Sequence, residues 1–346
     1  MLHTTVIGVD LAKDAIQVCV VARQQVLSNK EMTPSQFATW LVKTKPSTVV
    51  FEACSTSNYW KQKAESLGHD ARLISPRLVS AVRQSHKTDK NDALAIVHAA
   101  MLPNVKFVHA KTPEQQQLQT VLRLREQTIK QKTAMNNQLL GLLLEFNIRP
   151  SPRMGGLKSA VASALEDADN TFTAPLRDAL HSAWLLYQAV IRTIEHYDDA
   201  LTALVERIPE CKKLMRLEGV GIINAINLYS AIDLADDHIF KSGKDVAACI
   251  GLTPVQHSSG GKTKLGAINK HVRKSTLRSQ LVTGAFTYIN NVCRRTPRTE
   301  KDAWIQALVA RRGKKCAAVA LANKTVRTAY SILTKGTDYR VKALVA

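Results

Sequence analysis

Apolar residues in the first hundred positions come in short runs, each closed by turn formers. Thr5-Val6-Ile7-Gly8-Val9 and Ile16–Ala22 read as the two strands of a β-hairpin, with Asp10 near the turn. The spacing predicts a short helix around Ser35–Val42 and a strand from Thr48 to Phe51 that ends in Glu52. A helix over Asn58–Leu67 stops at Gly68, and a strand over Ala71–Ile74 is closed by Ser75-Pro76, with helices after it. Strands alternating with helices imply an α/β domain whose sheet is covered on both faces.

From Thr112-Pro113 the period changes. Leu118, Val121, Leu122, Ile129, Met135, Leu139, Leu143 and Phe146 recur at helical spacing. Pro150, Pro152 and Gly155-Gly156 break the pattern. A second long helix carries Leu176, Leu180, Trp184, Val190, Ile191, Ile194, Leu201, Leu204 and Ile208, up to Pro209. Two such helices make either a coiled-coil arm for oligomerisation or a pair packed inside one domain. From Cys211 the chain reads as mostly helical, with a polar, glycine-bearing loop at Ser258–Lys264. The boundaries expected are an α/β domain over 1–105, a helical connector over 112–210 and a mainly α domain over 211–346.

Charge sharpens this picture. The chain of 346 residues carries a formal net charge of +20, which points to a polyanionic partner. Residues 1–100 hold 12 Lys/Arg against 8 Asp/Glu, a net of +4, whereas residues 260–346 hold 19 against 3, a net of +16. Phosphate neutralisation is therefore expected in the tail, with salt-dependent binding. The six cysteines are scattered, without CxxC or His-paired spacing, which signals neither zinc nor a disulfide framework and fits a reducing compartment. No signal peptide and no bilayer-length apolar stretch are read, so an intracellular, soluble protein is expected.

Four acids stand out against this basic background. Asp10 and Glu52 each end an apolar run, and Asp89 and Asp92 lie one helical turn apart in Lys87-Thr88-Asp89-Lys90-Asn91-Asp92-Ala93. Carboxylates crowded together resist ionising without a cation, and hard oxygen ligands suit a divalent metal able to assist phosphodiester chemistry. Taken singly, each acid has an ordinary explanation as a turn former, a lysine partner or a helix N-terminal charge. Leu217-Glu218-Gly219-Val220-Gly221-Ile222-Ile223-Asn224-Ala225 has the form of a helix-hairpin-helix, in which Gly219 and Gly221 allow a turn whose amides meet a phosphate. The competing reading is a glycine turn between two core helices. Gly251-Leu252-Thr253-Pro254 leads into His257-Ser258-Ser259-Gly260-Gly261, followed by the cations Lys262, Lys264, Lys270, Arg273 and Lys274. A serine flanked by cations can attack phosphorus, although Ser-Ser-Gly-Gly is also a common solvated turn.

These pieces, together with Leu265–Lys270 and Ala320–Lys324, resemble in order and over nearly the whole length the DEDD family of bacterial insertion-sequence transposases, which includes the Piv-type DNA invertases. The resemblance implies an RNase H-like (RuvC-like) α/β domain, a coiled-coil connector and a mainly α transposase domain. It further implies magnesium at Asp10, Glu52, Asp89 and Asp92, and Ser259 as nucleophile in a covalent 5′-phosphoserine intermediate, with Ser258 adjoining it. Donor and target DNA, a structured guide (bridge or seek) RNA and a homo-tetramer or homodimer are the partners implied, in the bacterial cytoplasm at the nucleoid. Asn269 stands where the family usually has serine. Three other readings remain: a RuvC-like junction endonuclease using water, an RNA-independent site-specific invertase, and a basic architectural protein without catalysis.

Overall fold

A computed structural model describes residues 5–151, 156–232, 240–268 and 275–344, which fall into two compact units divided between Thr112 and Pro113. In the first unit the chain runs β1 (Thr5–Leu11), β2 (Ile16–Ala22), β3 (Gln25–Met32), α1 (Pro34–Lys43), β4 (Thr48–Glu52), α2 (Ser57–Ser66), β5 (Asp70–Ile74), α3 (Pro76–Val82) and α4 (Asp89–Ala100). The sheet order is β3-β2-β1-β4-β5. β1 pairs in parallel with β4, and β4 with β5, whereas β2 runs antiparallel to both its neighbours.

The expected hairpin is thus two strands of a three-stranded meander. β3 escaped the sequence because its side chains are mostly exposed and carry no alternation. It is an edge strand, and the turn before it uses Arg23 and Gln24 at positive φ (47° and 66°) instead of the usual Asn-Gly.

Both faces of the sheet are covered, as parallel strands require. Ile7, Val9, Val49 and Phe51 pack with Phe37, Leu41 and Trp60 of α1 and α2. Val6, Val50 and Ile74 pack with Val79, Ala93, Ile96 and Val97 of α3 and α4 on the other side.

The second unit runs α5 (Pro113–Glu145), α6 (Gly156–Glu166), α7 (Ala174–Val205), α8 (Pro209–Leu214), α9 (Ile222–Ala231), α10 (Gly243–Ile250), β6 (Pro254–Ser259), β7 (Lys262–Ile268), α11 (Ser275–Val292) and α12 (Glu300–Lys335). α5 and α7 lie against each other, and the Arg125 guanidinium pairs with Asp198 between them. Near one end, Leu118 and Leu122 of α5 and Leu201 and Val205 of α7 join the main core of the unit. Further along, Leu139, Leu143, Leu180 and Tyr187 close a smaller core with Val161 and Ala164 of α6.

One feature differs from the sequence expectation, and a second was not part of it. The segment Ser258–Lys264 is a β-hairpin, not a loop: Ser259 pairs with Lys262, and Gly260 and Gly261 make the two-residue turn at φ 55° and 74°. α12 folds back on itself at Gly313 (φ 78°, ψ 164°). Lys324 Nζ sits 4.7 Å from the Trp304 ring centroid, whereas twenty residues of straight helix would separate them by about 30 Å. Among the described residues, no helix is long and apolar enough to cross a membrane.

Candidate active site

Strand alternation explains how the first two acids meet. Even-numbered positions of β1 and β4 face α4, because Val6 and Val50 pack there and Gly8 lies against that helix. Asp10 and Glu52 continue the same face by two residues. The register pairs Val9 with Phe51, so the two acids end adjacent parallel strands at their carboxyl ends, the usual ligand side of such sheets.

Gly8 brings the other pair to them. A Cβ on Gly8 would come within 2.3 Å of the Ala93 carbonyl and 2.7 Å of Val97 Cγ2. The missing side chain lets α4 lie directly on β1, with Asp89 and Asp92 in its first turn. Thr88 caps that turn by accepting from the Asn91 amide at 3.3 Å. Gly8→Ala must push α4 off the strand. It is expected to cost about 1–3 kcal/mol in urea unfolding, with a larger fall in activity than in stability because the acids separate.

The acids act on one another: Asp10 feels Asp92 and Asp89, and Glu52 feels Asp10 and Asp92. Burial, then Asp92 and Asp89, push the Asp10 carboxyl up from its ordinary value, against Lys87 and the Leu11 amide. Burial, then Asp10 and Asp92, do the same to Glu52, against Lys87 and Arg83. Asp92 is buried, and its Oδ1 lies 2.7 Å from Arg83 Nη1. Among the described residues no three His, Cys, Asp or Glu side chains are gathered tightly enough to hold a metal ion as they stand. The donor set itself, oxygen-only and mutually repelling, suits a hard divalent cation; Arg83 and Lys87 offset part of its charge.

Three side chains at this site went unnoticed in the sequence. Arg83 is one. The others are Gln17 and Asn29: Gln17 Nε2 donates to Asn29 Oδ1 at 2.7 Å, and Asn29 Nδ2 donates to the Lys90 carbonyl at 2.9 Å. This relay ties β2 and β3 to the start of α4. The available signal was Gln17, a polar residue inside an apolar strand and 4% exposed.

In the second unit, Ser258 and Ser259 end β6. Gln256 Nε2 donates to Ser258 Oγ at 3.3 Å, and the Thr263 hydroxyl lies 3.5 Å away. Ser259 is exposed and, among the described residues, its hydroxyl makes no hydrogen bond. Lys262 faces it across the hairpin, and Lys264 faces His257. Lys270, Arg273 and Lys274 lie outside the described residues.

Gly219 adopts φ 76°, and a Cβ there would come within 2.7 Å of the Gly284 carbonyl in α11. Close packing against α11 accounts for this glycine. Asn224 Nδ2 reinforces the crossing by donating to the carbonyls of Gly219 (3.2 Å) and Gln280 (3.3 Å). Gly221 is extended and caps α9, with open space where its Cβ would be. The amino end of α9 lines an open cleft of about 600 Å³ with Arg125, Ser279, Thr283 and Asn291.

Comparison with known proteins gives this architecture its class, that of the transposases. Residues 7–148 match the DEDD transposase model of the IS110 type, and residues 211–301 match the transposase IS116/IS110/IS902 family. The transposase for insertion sequence element IS1111A of Coxiella burnetii is 32% identical over 99% of this chain and 93% of its own length. That for element IS1328 of Yersinia enterocolitica is 30% identical over 98% and 99%. The pilin gene-inverting protein of Moraxella bovis is 23% identical over 75% of each chain. The chain belongs to the IS110/IS116/IS902 family of insertion-sequence transposases.

Proposed function

We propose that this transposase cuts and rejoins DNA with Ser259 as nucleophile and with Asp10, Glu52, Asp89 and Asp92 as ligands for magnesium. The observation that carries the reading is the shared field of those four acids beside the carboxyl ends of β1 and β4. The strand order, with β2 alone antiparallel, supports an RNase H-like domain, in which acids at these positions serve phosphoryl transfer. Bound magnesium would supply charge neutralisation at the scissile phosphate.

The residues of the chain do the rest. Ser259 Oγ attacks phosphorus and forms the Oγ–P bond as the P–O3′ bond breaks. The serine proton is lost to solvent and the departing 3′ oxygen gains one. Lys262 and Lys264 offset the charge that builds on the phosphoryl oxygens. Rejoining reverses the step with a different 3′ hydroxyl. The engagement of the Ser258 hydroxyl by Gln256 and Thr263 supports Ser259, whose hydroxyl makes no hydrogen bond among the described residues.

A structured guide RNA belongs to this reading, as does assembly into a dimer or tetramer. The basic chain accommodates RNA through shape and backbone. Leu142, Leu144, Phe146, Leu185 and Leu186 are exposed on α5, α7 and the turn after α5, and they support a role for this arm in assembly. Leu185→Asp with Leu186→Asp is expected to lower the mass seen by light scattering to that of a smaller species.

The similarity to a pilin gene-inverting protein favours one second reading, an invertase that needs no guide. The deciding experiment is recombination of donor and target DNA by the purified protein, with and without the RNA that copurifies with it. Dependence on that RNA supports the proposal; equal recombination on naked DNA favours the invertase.

A further inference from the structure

The strongest unassigned feature is a cationic cleft of about 1080 Å³ between α10 and the second half of α12. One wall is a single helix face: Lys324 and Arg327 lie one turn apart and Lys335 about two turns further on, a span of about 16 Å. The other wall carries Lys241 and Lys244 at the start of α10. All five cations are exposed, and among the described residues none forms an ion pair. Five like charges facing one concavity repel one another, so an extended anion that carries several charges stabilises the arrangement.

The walls are held firmly. Tyr330 donates its hydroxyl to the Phe240 carbonyl at 2.7 Å, which pins the segment beside Lys241 to α12. A Cβ on Gly243 would come within 3.0 Å of Arg327 Cα, so the amino end of α10 presses directly on α12. Trp304 also lines the cleft, but Lys324 covers a face of its ring. The ring is therefore poorly placed as a platform for an unpaired base. Tyr330, the other aromatic of the lining, is tethered through its hydroxyl to Phe240, so the cleft offers mainly point charges on a rigid frame, which suit the sugar-phosphate backbone of a duplex.

We infer that this cleft binds the backbone of duplex DNA, at a site separate from the serine hairpin and from the turn at Gly219–Gly221. The inference rests on the transposase reading for its choice of DNA. The helix face covers about five base pairs of rise, and its contacts position the substrate without reading its sequence.

The test is fluorescence anisotropy of the full-length chain with a random-sequence DNA duplex across a potassium chloride series. Replacing Lys241, Lys244, Lys324 and Arg327 together with glutamine is expected to weaken binding at least about tenfold and to flatten the slope of log K against log salt by about 3. A control variant loses the same charge from the first unit: Lys13→Gln, Arg23→Gln, Lys43→Gln and Lys45→Gln. Its slope is expected to stay within about one of wild type. Lys335→Gln alone flattens the slope by about 1 and serves if the fourfold variant melts early. A slope equal to wild type in the cleft variants, a fall matched by the control, or a loss confined to RNA duplexes overturns the cleft assignment alone. Failure of the wild type to bind DNA at all overturns the transposase reading with it.

Discussion

Asp10→Asn is expected to lower strand exchange by at least roughly a thousandfold while raising the melting temperature of the metal-free protein by a few degrees. The two effects share one cause. In wild type the Asp10 carboxylate is half-buried and lies in the field of Asp92 and Asp89, and Glu52 in turn feels Asp10. Asparagine keeps the shape and removes one charge, so the remaining acids repel less and folding becomes easier. The same charge is what a divalent ion needs, so catalysis goes with it. Magnesium is expected to raise the melting temperature of wild type and to leave the variant nearly unmoved. Scanning calorimetry with and without magnesium, beside a recombination assay, checks both parts. A variant that is active, or one less stable than metal-free wild type, contradicts the assignment.

Ser259→Ala is expected to abolish the covalent protein–DNA adduct and to lower strand exchange at least about a thousandfold. Ser258→Ala is expected to keep activity within about tenfold. The contrast follows from the hairpin. Neighbouring residues of a strand point to opposite faces, and the Ser258 hydroxyl is held by Gln256 and Thr263 whereas that of Ser259 has no hydrogen bond among the described residues. Denaturing gels of labelled DNA after reaction read the adduct directly. Cleavage that persists in Ser259→Ala without an adduct would mean that water attacks, as in a junction endonuclease.

Much of the first unit was legible because its strands are buried on both sides. Apolar runs such as Thr5–Val9 and Thr48–Phe51 announce themselves, and the acids that end them are conspicuous. β3 was not legible, since polar Gln25, Ser28, Asn29, Lys30 and Glu31 fall on both of its faces and most of its side chains are exposed. The serine hairpin was hidden for the same reason: nearly every side chain of β6 and β7 is exposed, so no alternation marks it. The fold-back of α12 was invisible because Arg311, Arg312, Lys314 and Lys315 around Gly313 are good helix formers. Arg83 and Asn29 could not be tied to the acids, because their contacts span nine residues and a sheet-to-helix step respectively. Gly219 was read for phosphate contact, and its tight crossing with Gly284 depends on a helix more than fifty residues away.

The ribbon that presents Ser259 buries almost nothing. Its shape rests on a ladder of backbone hydrogen bonds and two glycines, so opening it forfeits little apolar contact. Its amides are therefore expected to exchange with deuterium far sooner than those of β1 or β4, which sit inside a sealed core. If Ser259 is the nucleophile proposed above, a support so yielding would take its final pose from a bound substrate, and the serine would stay idle until one is seated.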